Sequence, residues 1–338
     1  MDQTPPRAIG ADALSAMVPP LGIDDRVTIR YRLTDGSATD VVGWVVGLDD
    51  DQVRVQPPAP DGRPQPALVD RDRIILAKRV PPVPGGRPVS RTTAEELERI
   101  AMQGWIDESA PLLPGHHGWT LRFGNGFTGR ANSCLAVGDP GLPYPEASKL
   151  IIEQYQAAGL PPWVQVITDS VPDRRLVDLG WQPTYVPTTV MTGTLGAVVG
   201  DHRRTDRVQV AEQLTEDWWQ GYLQYRPIPD HETARRILIN NPPVGLASVH
   251  HDGRLVALGR GQITADWLGI AGLWTDPAFR RQGLATMIIR ELAHWAARRG
   301  ARYGYLQVAQ ENAGAIAAYS RLGFVRHHDY RYLAPAPV

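Results

Sequence analysis

The stretch DPAFRRQGLATMIIREL, Asp276 to Leu292, decides how this chain is read. Leu284, Ile288, Leu292 and Trp295 recur at three- and four-residue spacing, which predicts an amphipathic helix starting after Gly283. A surface helix ordinarily opens with a Ser, Thr, Asp or Asn cap and acidic residues, which satisfy its free N–H groups and oppose its dipole. This one opens on Arg280, Arg281, Gln282 and Gly283. Positive charge is added where the dipole is already positive, which is favourable only beside an anion. The preceding LGIAGLWT (Leu268 to Thr275) reads as a short apolar strand ended by Asp276-Pro277. The segment between is thus a strand-to-helix loop with free backbone donors. Gly283 admits a ligand close to the backbone, and Ala285 keeps the second approach small. Donors, dipole and arginines together form an anion site of the kind that holds a pyrophosphate.

Working outward, the pattern around this loop has a faint echo upstream. Gly283-Leu284, a helix ending at Gly300, the strand YLQV and LGF at Leu322 to Phe324 form one series. Gly141-Leu142, a helix ending at Gly159, WVQV from Trp163 and LGW at Leu179 to Trp181 form another at nearly the same offsets. Four landmarks in order favour two copies of one α/β unit. Where the second copy has RRQGLA, the first has GDPGLP (Gly138 to Pro143): the arginines are gone, Asp139 adds negative charge, and Pro140 and Pro143 lack N–H donors. Nearer the N-terminus, RVTIRYRL, TDVVGWVVGL, QVRVQ and RIILAKRV are short runs rich in β-branched residues, separated by turn residues such as Asp35-Gly36 and Asp61-Gly62. These predict a small SH3-like β-barrel. The expected organisation is a loose tail over 1–23, the barrel over 24–82, a PPVPGGRP-type linker over 83–91, a degenerate copy over 92–204 and a working copy over 205–338.

Composition sets the remaining bounds. A chain of 338 residues with 43% hydrophobic and 21% charged residues is an ordinary globular protein of two or three domains. The net charge of -1 makes no case for a nucleic-acid partner or an acidic membrane. Lys78 and Lys149 are the only lysines, which reads as coding bias. Cys134 is alone, so no intramolecular disulfide or cysteine-rich zinc site is expected. His116-His117 sits between Gly115 and Gly118 without a third ligand nearby, so no metal is assigned. No run is long and apolar enough for a membrane span, and no signal-peptide layout is present, so a cytoplasmic location is expected. Nothing in the sequence fixes the oligomeric state.

Arg280-x-x-Gly283-x-Ala285, with Pro277 before it, YGYLQV and ENAGAIAAYSRLGF after it, resembles the GNAT superfamily of acyl-CoA N-acyltransferases over about Thr205 to Leu333. The whole layout resembles a bacterial group of acetyltransferases with an SH3-like N-terminal domain. The resemblance implies an α/β fold with tandem GNAT-like units, the first degenerate. It implies an acetyl-CoA-dependent N-acetyltransferase acting by direct attack of a primary amine. Leu273, Trp274 and Thr275 would lie on the strand that pairs with the pantetheine arm. Arg280, Arg281, Gln282, Gly283, Leu284, Ala285 and Thr286 would cradle the pyrophosphate, and Asn312 and Ala315 would stand beside the cofactor arm. Tyr319 matches the tyrosine that protonates the departing thiolate; a core tyrosine bonded to backbone is the other reading.

The base is not assigned. An amine of pKa ~10.4 costs about 4.6 kcal/mol to hold neutral at pH 7, yet neither LGIAGLWT nor YGYLQV carries an acid. Asp266, His250, His251 and Glu311 are candidates, each also readable as a turn or surface residue; Asp252-Gly253 makes the histidines part of a hairpin. TEDWWQGYLQYRPIPD (Thr215 to Asp230) predicts a helix capped by Thr215, whose Trp218, Trp219, Tyr222 and Tyr225 would line an acceptor pocket or fill a core. RANS (Arg130 to Ser133) reads as a strand end or as polar contacts to a ligand. The rival function is a non-catalytic acyl-CoA-binding module with the barrel as its protein- or nucleic-acid-binding output.

Overall fold

The computed structural model describes Leu14, Leu21 and residues 26–57, 66–80, 92–116, 118–200, 205–225, 228 and 230–336. Most of the expected tail, the Asp61-Gly62 turn, the linker over 83–91, His117 and most of the loop after Tyr225 lie outside the described residues. The chain divides into two compact units, Met1–Arg87 and Pro88–Val338.

In the first unit, β1 (Arg26–Arg32), β2 (Ala38–Leu48), β3 (Gln52–Gln56), β4 (Ala67–Asp70) and β5 (Ile74–Arg79) form an antiparallel sheet in the order β4-β3-β2-β1-β5. The strand period of two sends Val27, Ile29, Val45, Val53, Val55, Val69 and Ile74 to one buried face with Leu14 and Leu21. Among the described residues β4 and β5 are the two edges and do not pair. The closed barrel expected from the sequence is therefore not seen; the sheet is open between those edges.

The second unit is built on one sheet of twelve strands among the described residues. Its first part carries α1 (Ala94–Gln103), β6 (Glu108–Pro111), β7 (Thr120–Phe123), β8 (Cys134–Ala136), α2 (Tyr144–Ala157), β9 (Val164–Ile167), α3 (Val171–Asp178), β10 (Trp181–Pro183), β11 (Thr188–Thr194) and α4 (Leu195–Val199). There follow β12 (Val208–Ala211), α5 (Glu216–Tyr225), α6 (His231–Ile239), β13 (Val244–His251), β14 (Arg254–Thr264) and β15 (Trp267–Thr275). The chain finishes with α7 (Leu284–Ala297), β16 (Tyr303–Ala309), α8 (Ala313–Arg321) and β17 (Val325–Pro335). The order is β12-β13-β14-β15-β16-β11-β17-β9-β8-β7-β6, with β10 on β17.

Among the described residues only β8–β9 and β15–β16 pair in parallel, each pair joined through a helix, α2 or α7. The last strands of the two series are exchanged. β11, from the first series, lies between β16 and β17, and β17, from the second, pairs with β9. One continuous sheet results, whose two halves complete each other.

α7 buries Leu284, Ile288, Leu292 and Trp295, the four residues of the apolar stripe, against Ala257, Leu268, Ile270, Leu306 and Val308. Glu291, which that pattern places off the stripe, is also buried and accepts from the Thr205 N–H (2.9 Å). On the other face α1 sets Leu97 and Ala101 on Trp267, Tyr303, Tyr305, Val190 and Tyr330. Beside them is a buried polar chain. His327 Nε2 lies 2.8 Å from the Thr92 carbonyl, the two Nδ1 atoms of His327 and His328 lie 2.8 Å apart, and His328 Nε2 lies 2.9 Å from Glu98 Oε1. Each of these three contacts requires one proton, so the three side chains together hold three and are jointly neutral. Glu98 also accepts from Gln165, which accepts in turn from buried Arg122. Cys134 is fully buried, and that burial pushes its thiol up to about 12, against the pull of Arg122.

Candidate active site

β15 and β16 run side by side from Trp267↔Tyr303 to Ile270↔Leu306 and then part. The parting has a local cause. Between Leu258↔Trp274 and Arg260↔Ala271 the β14–β15 ladder holds one residue of β14 against two of β15, with Gly272 at φ 61°. This bulge bends β15 away from β16, and a side chain at Gly272 would also press on Tyr222, 3.2 Å from its Cβ position. Among the described residues no strand pairs with Ala271 to Thr275 on the β16 side. Leu273, Trp274 and Thr275 are half-buried along this open edge.

The loop after the edge is anchored at its start. Asp276 is buried, accepts from the Ala278 N–H (2.9 Å) to hold a 3-10 turn over Pro277–Phe279, and pairs with Arg254. Beyond that turn Arg280, Arg281, Gln282 and Gly283 are exposed. Arg281 sits at φ 63°, a left-handed conformation that costs a non-glycine residue about 1–2 kcal/mol. Gly283 is the N-cap of α7 at φ 80°, with no side-chain cap, no acid in the first turn and open space where its Cβ would be. Backbone donors at the start of a fourteen-residue helix, two guanidiniums and a clear approach fit a diphosphate.

α8 follows β16. Asn312 caps it, its Oδ1 accepting from the Ala315 N–H (3.1 Å), a bond worth about 1 kcal/mol. Leu273, Met287, Ala315, Ile316 and Tyr319 pack on the cluster that contains Leu284, Ile288 and Leu306. Leu273, Leu284, Ala315 and Tyr319, far apart in sequence, thereby share one core. Tyr319 is half-buried there.

The candidate bases do not gather. Asp266 pairs with Arg302 (2.7 Å) at the closed end of the β15–β16 pair, His250 meets Asp217 (2.6 Å), and Glu311 is exposed. His250 and His251 end β13 at a hairpin, with Asp252 at φ 50° and Gly253 at φ 77°. Trp218, Trp219 and Tyr222 are core residues: Trp218 stacks on Tyr222 (5.2 Å, 11°) and donates to the Ala247 carbonyl (3.1 Å). Thr215 does accept from the Trp218 N–H, at 3.3 Å.

Sequence reasoning missed the other wall of the wedge. Gly269 lies opposite Tyr305, and a Cβ there would fall 2.3 Å from the phenol oxygen, so the missing side chain lets the ring cross β15. Burial pushes this phenol well above its ordinary range, while Arg260 and Arg130 pull it back. Arg260 is buried, donates to the Leu238 (2.7 Å) and Gly104 (3.0 Å) carbonyls, and lies over Trp105 (5.1 Å). Burial pulls its guanidinium down to about 10. Arg130 lies over the same indole (5.4 Å) and donates to the Tyr330 hydroxyl (3.1 Å). It comes from the β7–β8 loop, which contains RANS, and it is the first series that supplies it. The visible signal was a run of glycines, Gly124, Gly126 and Gly129, which reads as a built loop.

Residues 95–333 match the family model described as "Probable histone acetyltransferase Rv0428c C-terminal". The chain belongs to this family. The uncharacterized N-acetyltransferase YobR of Bacillus subtilis is 27% identical over 251 residues, 70% of this chain and 97% of that protein. The ribosomal protein bS18-alanine N-acetyltransferase of Salmonella typhimurium is 36% identical over 73 residues, covering 22% of this chain and 49% of that enzyme. Among solved structures, a GCN5-related N-acetyltransferase from Kribbella flavida shares the fold, with a TM-score of 0.55 at 18% identity over 72% of this chain and 96% of that one. The present chain is an acyltransferase of the GNAT type, and the acyltransferase fold lies within the second unit. No helix among its described residues is long and apolar enough to cross a membrane. No group of three or more His, Cys, Asp or Glu converges among them either.

Proposed function

We propose that this GNAT-type acyltransferase takes its acyl group from acetyl-CoA, bound in the β15–β16 wedge, and transfers it directly to a primary amine. The observation that carries this reading is the juxtaposition of an unpaired strand edge, Ala271 to Thr275, with the uncapped start of α7 at Gly283. Acetyl-CoA supplies an acyl group already activated as a thioester. The edge of β15 pairs with an extended arm as an added strand would, and its backbone polarises the reacting carbonyl. Arg280 to Thr286 hold the diphosphate through N–H groups and charge. Asn312 and Ala315 fix the start of α8 beside the arm. Tyr319 donates its proton to the departing thiolate.

The first series is read as a copy that has lost this role. Its counterpart loop is filled from within the chain: Trp119 Nε1 donates to the Gly138 carbonyl (3.0 Å), and a Cβ on Gly141 would lie 2.9 Å from the His116 ring. Pro143 stands at the N-cap of α2 with no side-chain bond. The domain limits 92–204 and 205–338 then mark two copies with exchanged last strands. The open five-stranded sheet, with its 3-10 turn Arg71–Arg73 between β4 and β5, supports an SH3-like reading of residues 24–82. A cytoplasmic location fits the reaction. Incubation with labelled acetyl-CoA and a panel of amines tests the reading: label must pass to an amine as free thiol appears. Binding of acetyl-CoA without thiol release on any amine would favour a sensor.

A further inference from the structure

The wedge has two faces, and on the face opposite α7 two arginines share one indole, that of Trp105. Arg260 on β14 faces Ala271, the first residue of β15 beyond the parting. It is 2% exposed, and among the described residues it forms no ion pair; its bonds go to two carbonyls. A charge buried without a counter-charge is costly and leaves a local field for an incoming anion. Arg130 shares the Trp105 ring with it and is half-buried, the more accessible of the two arginines. The phenol of Tyr305 lies across Gly269, one residue before Ile270↔Leu306, the last pair before β15 and β16 separate.

Arg130 is held by a loop built for the purpose. Asn132 Oδ1 accepts from the N–H groups of Gly124 and Gly126 (both 2.9 Å), and its Nδ2 donates to the Thr128 carbonyl (2.9 Å). The loop tip leaves its own series: Asn125 bonds Asp230 (2.6 Å), and Phe127 is buried against Tyr222 (6.4 Å). Asp230 is in turn held down to about 2, chiefly by the Thr233 N–H and then by Asn125.

We propose that Arg130, backed by Arg260 across Trp105, reads a carboxylate on the acceptor, so that the acceptor class is amino acids and close derivatives carrying both amine and carboxylate. Planar guanidinium and planar carboxylate match in two parallel hydrogen bonds, which orients the amine as well as attracting it. This inference rests on the acetyltransferase reading above. The first series, having no cofactor site of its own in that reading, then contributes the specificity residue of the second.

The test uses matched acceptors: amino acids, their amides and their decarboxylated amines, with thiol release and mass spectrometry as readouts on the full chain. The wild-type protein alone should favour the carboxylate-bearing member of each set by about tenfold or more in kcat/KM. Arg130→Gln should raise KM for those members and collapse the ratio, with Arg130→Lys restoring part of it. Acetyl-CoA affinity, measured by calorimetry on both variants, should stay unchanged. Equal or better use of amides and decarboxylated amines by the wild type overturns the inference, as does a ratio that survives Arg130→Gln. Failure of the wild type to bind acetyl-CoA would overturn the acetyltransferase reading and this one with it.

Discussion

Ile270 on β15 and Leu306 on β16 are the last pair of residues that face each other before the two parallel strands separate. Beyond that pair run the open edge to Thr275 and the loop that leads to α7, while Tyr319 on α8 packs on the core that includes both Ile270 and Leu306. The separation follows from the bulge at Gly272, where one extra residue turns the strand.

Arg281 combines charge with backbone strain, and the two can be separated. Arg281→Gly removes the guanidinium and relieves the left-handed conformation, so stability should hold or rise by up to about 1 kcal/mol while acetyl-CoA affinity falls. Denaturant unfolding and calorimetry on the same sample check both halves. A stable variant with full affinity would remove Arg281 from the site.

Tyr319→Phe keeps the ring on the α7 cluster and removes only the hydroxyl. Turnover should drop by about 10²–10⁴-fold with little change in acetyl-CoA affinity. Full turnover would make Tyr319 a packing residue.

Glu98 is 2% exposed and joins His328 to Gln165. Glu98→Ala leaves His328 and Gln165 without their acceptor and should cost about 1–3 kcal/mol in equilibrium unfolding. A loss under about 1 kcal/mol would mean the chain is not the tie between α1, β9 and β17 that its geometry indicates.

His327 gives the pH dependence of that chain its sign. Burial lowers its pKa below the ordinary 6.5, so the unfolded state binds more protons between the folded value and 6.5. Stability should fall as pH drops through 6.5 toward the folded value, and His327→Gln should flatten that slope. A slope unchanged in the variant would assign it to another group.

Much of this was legible where the physics is local. The period of Leu284, Ile288, Leu292 and Trp295, the missing cap before them and the Asp252-Gly253 turn all lie within one or two turns of chain. What could not be read was long-range. A strand's alternation tells which face is buried but not which strand lies beside it, so the exchange of β11 and β17 left no trace. Trp218 and Trp219 at helical spacing fit a pocket or a core equally, and only their burial against Ala247 and Tyr222 decides. Arg130 looked like a strand end because its partners, Trp105 and Tyr330, come from distant segments. The four strand runs predicted a barrel, but closure depends on the pairing of β4 with β5, which composition does not specify.

The most direct measurement is a calorimetric titration of acetyl-CoA into the intact protein and into Arg281→Glu. The account predicts saturation at one equivalent per chain for the wild type, because His116 and Trp119 fill the counterpart loop at Gly138 to Gly141. It predicts a large loss of affinity in the folded variant, since a carboxylate would then face the diphosphate at the start of α7. Two equivalents, or unchanged affinity in Arg281→Glu, would contradict it.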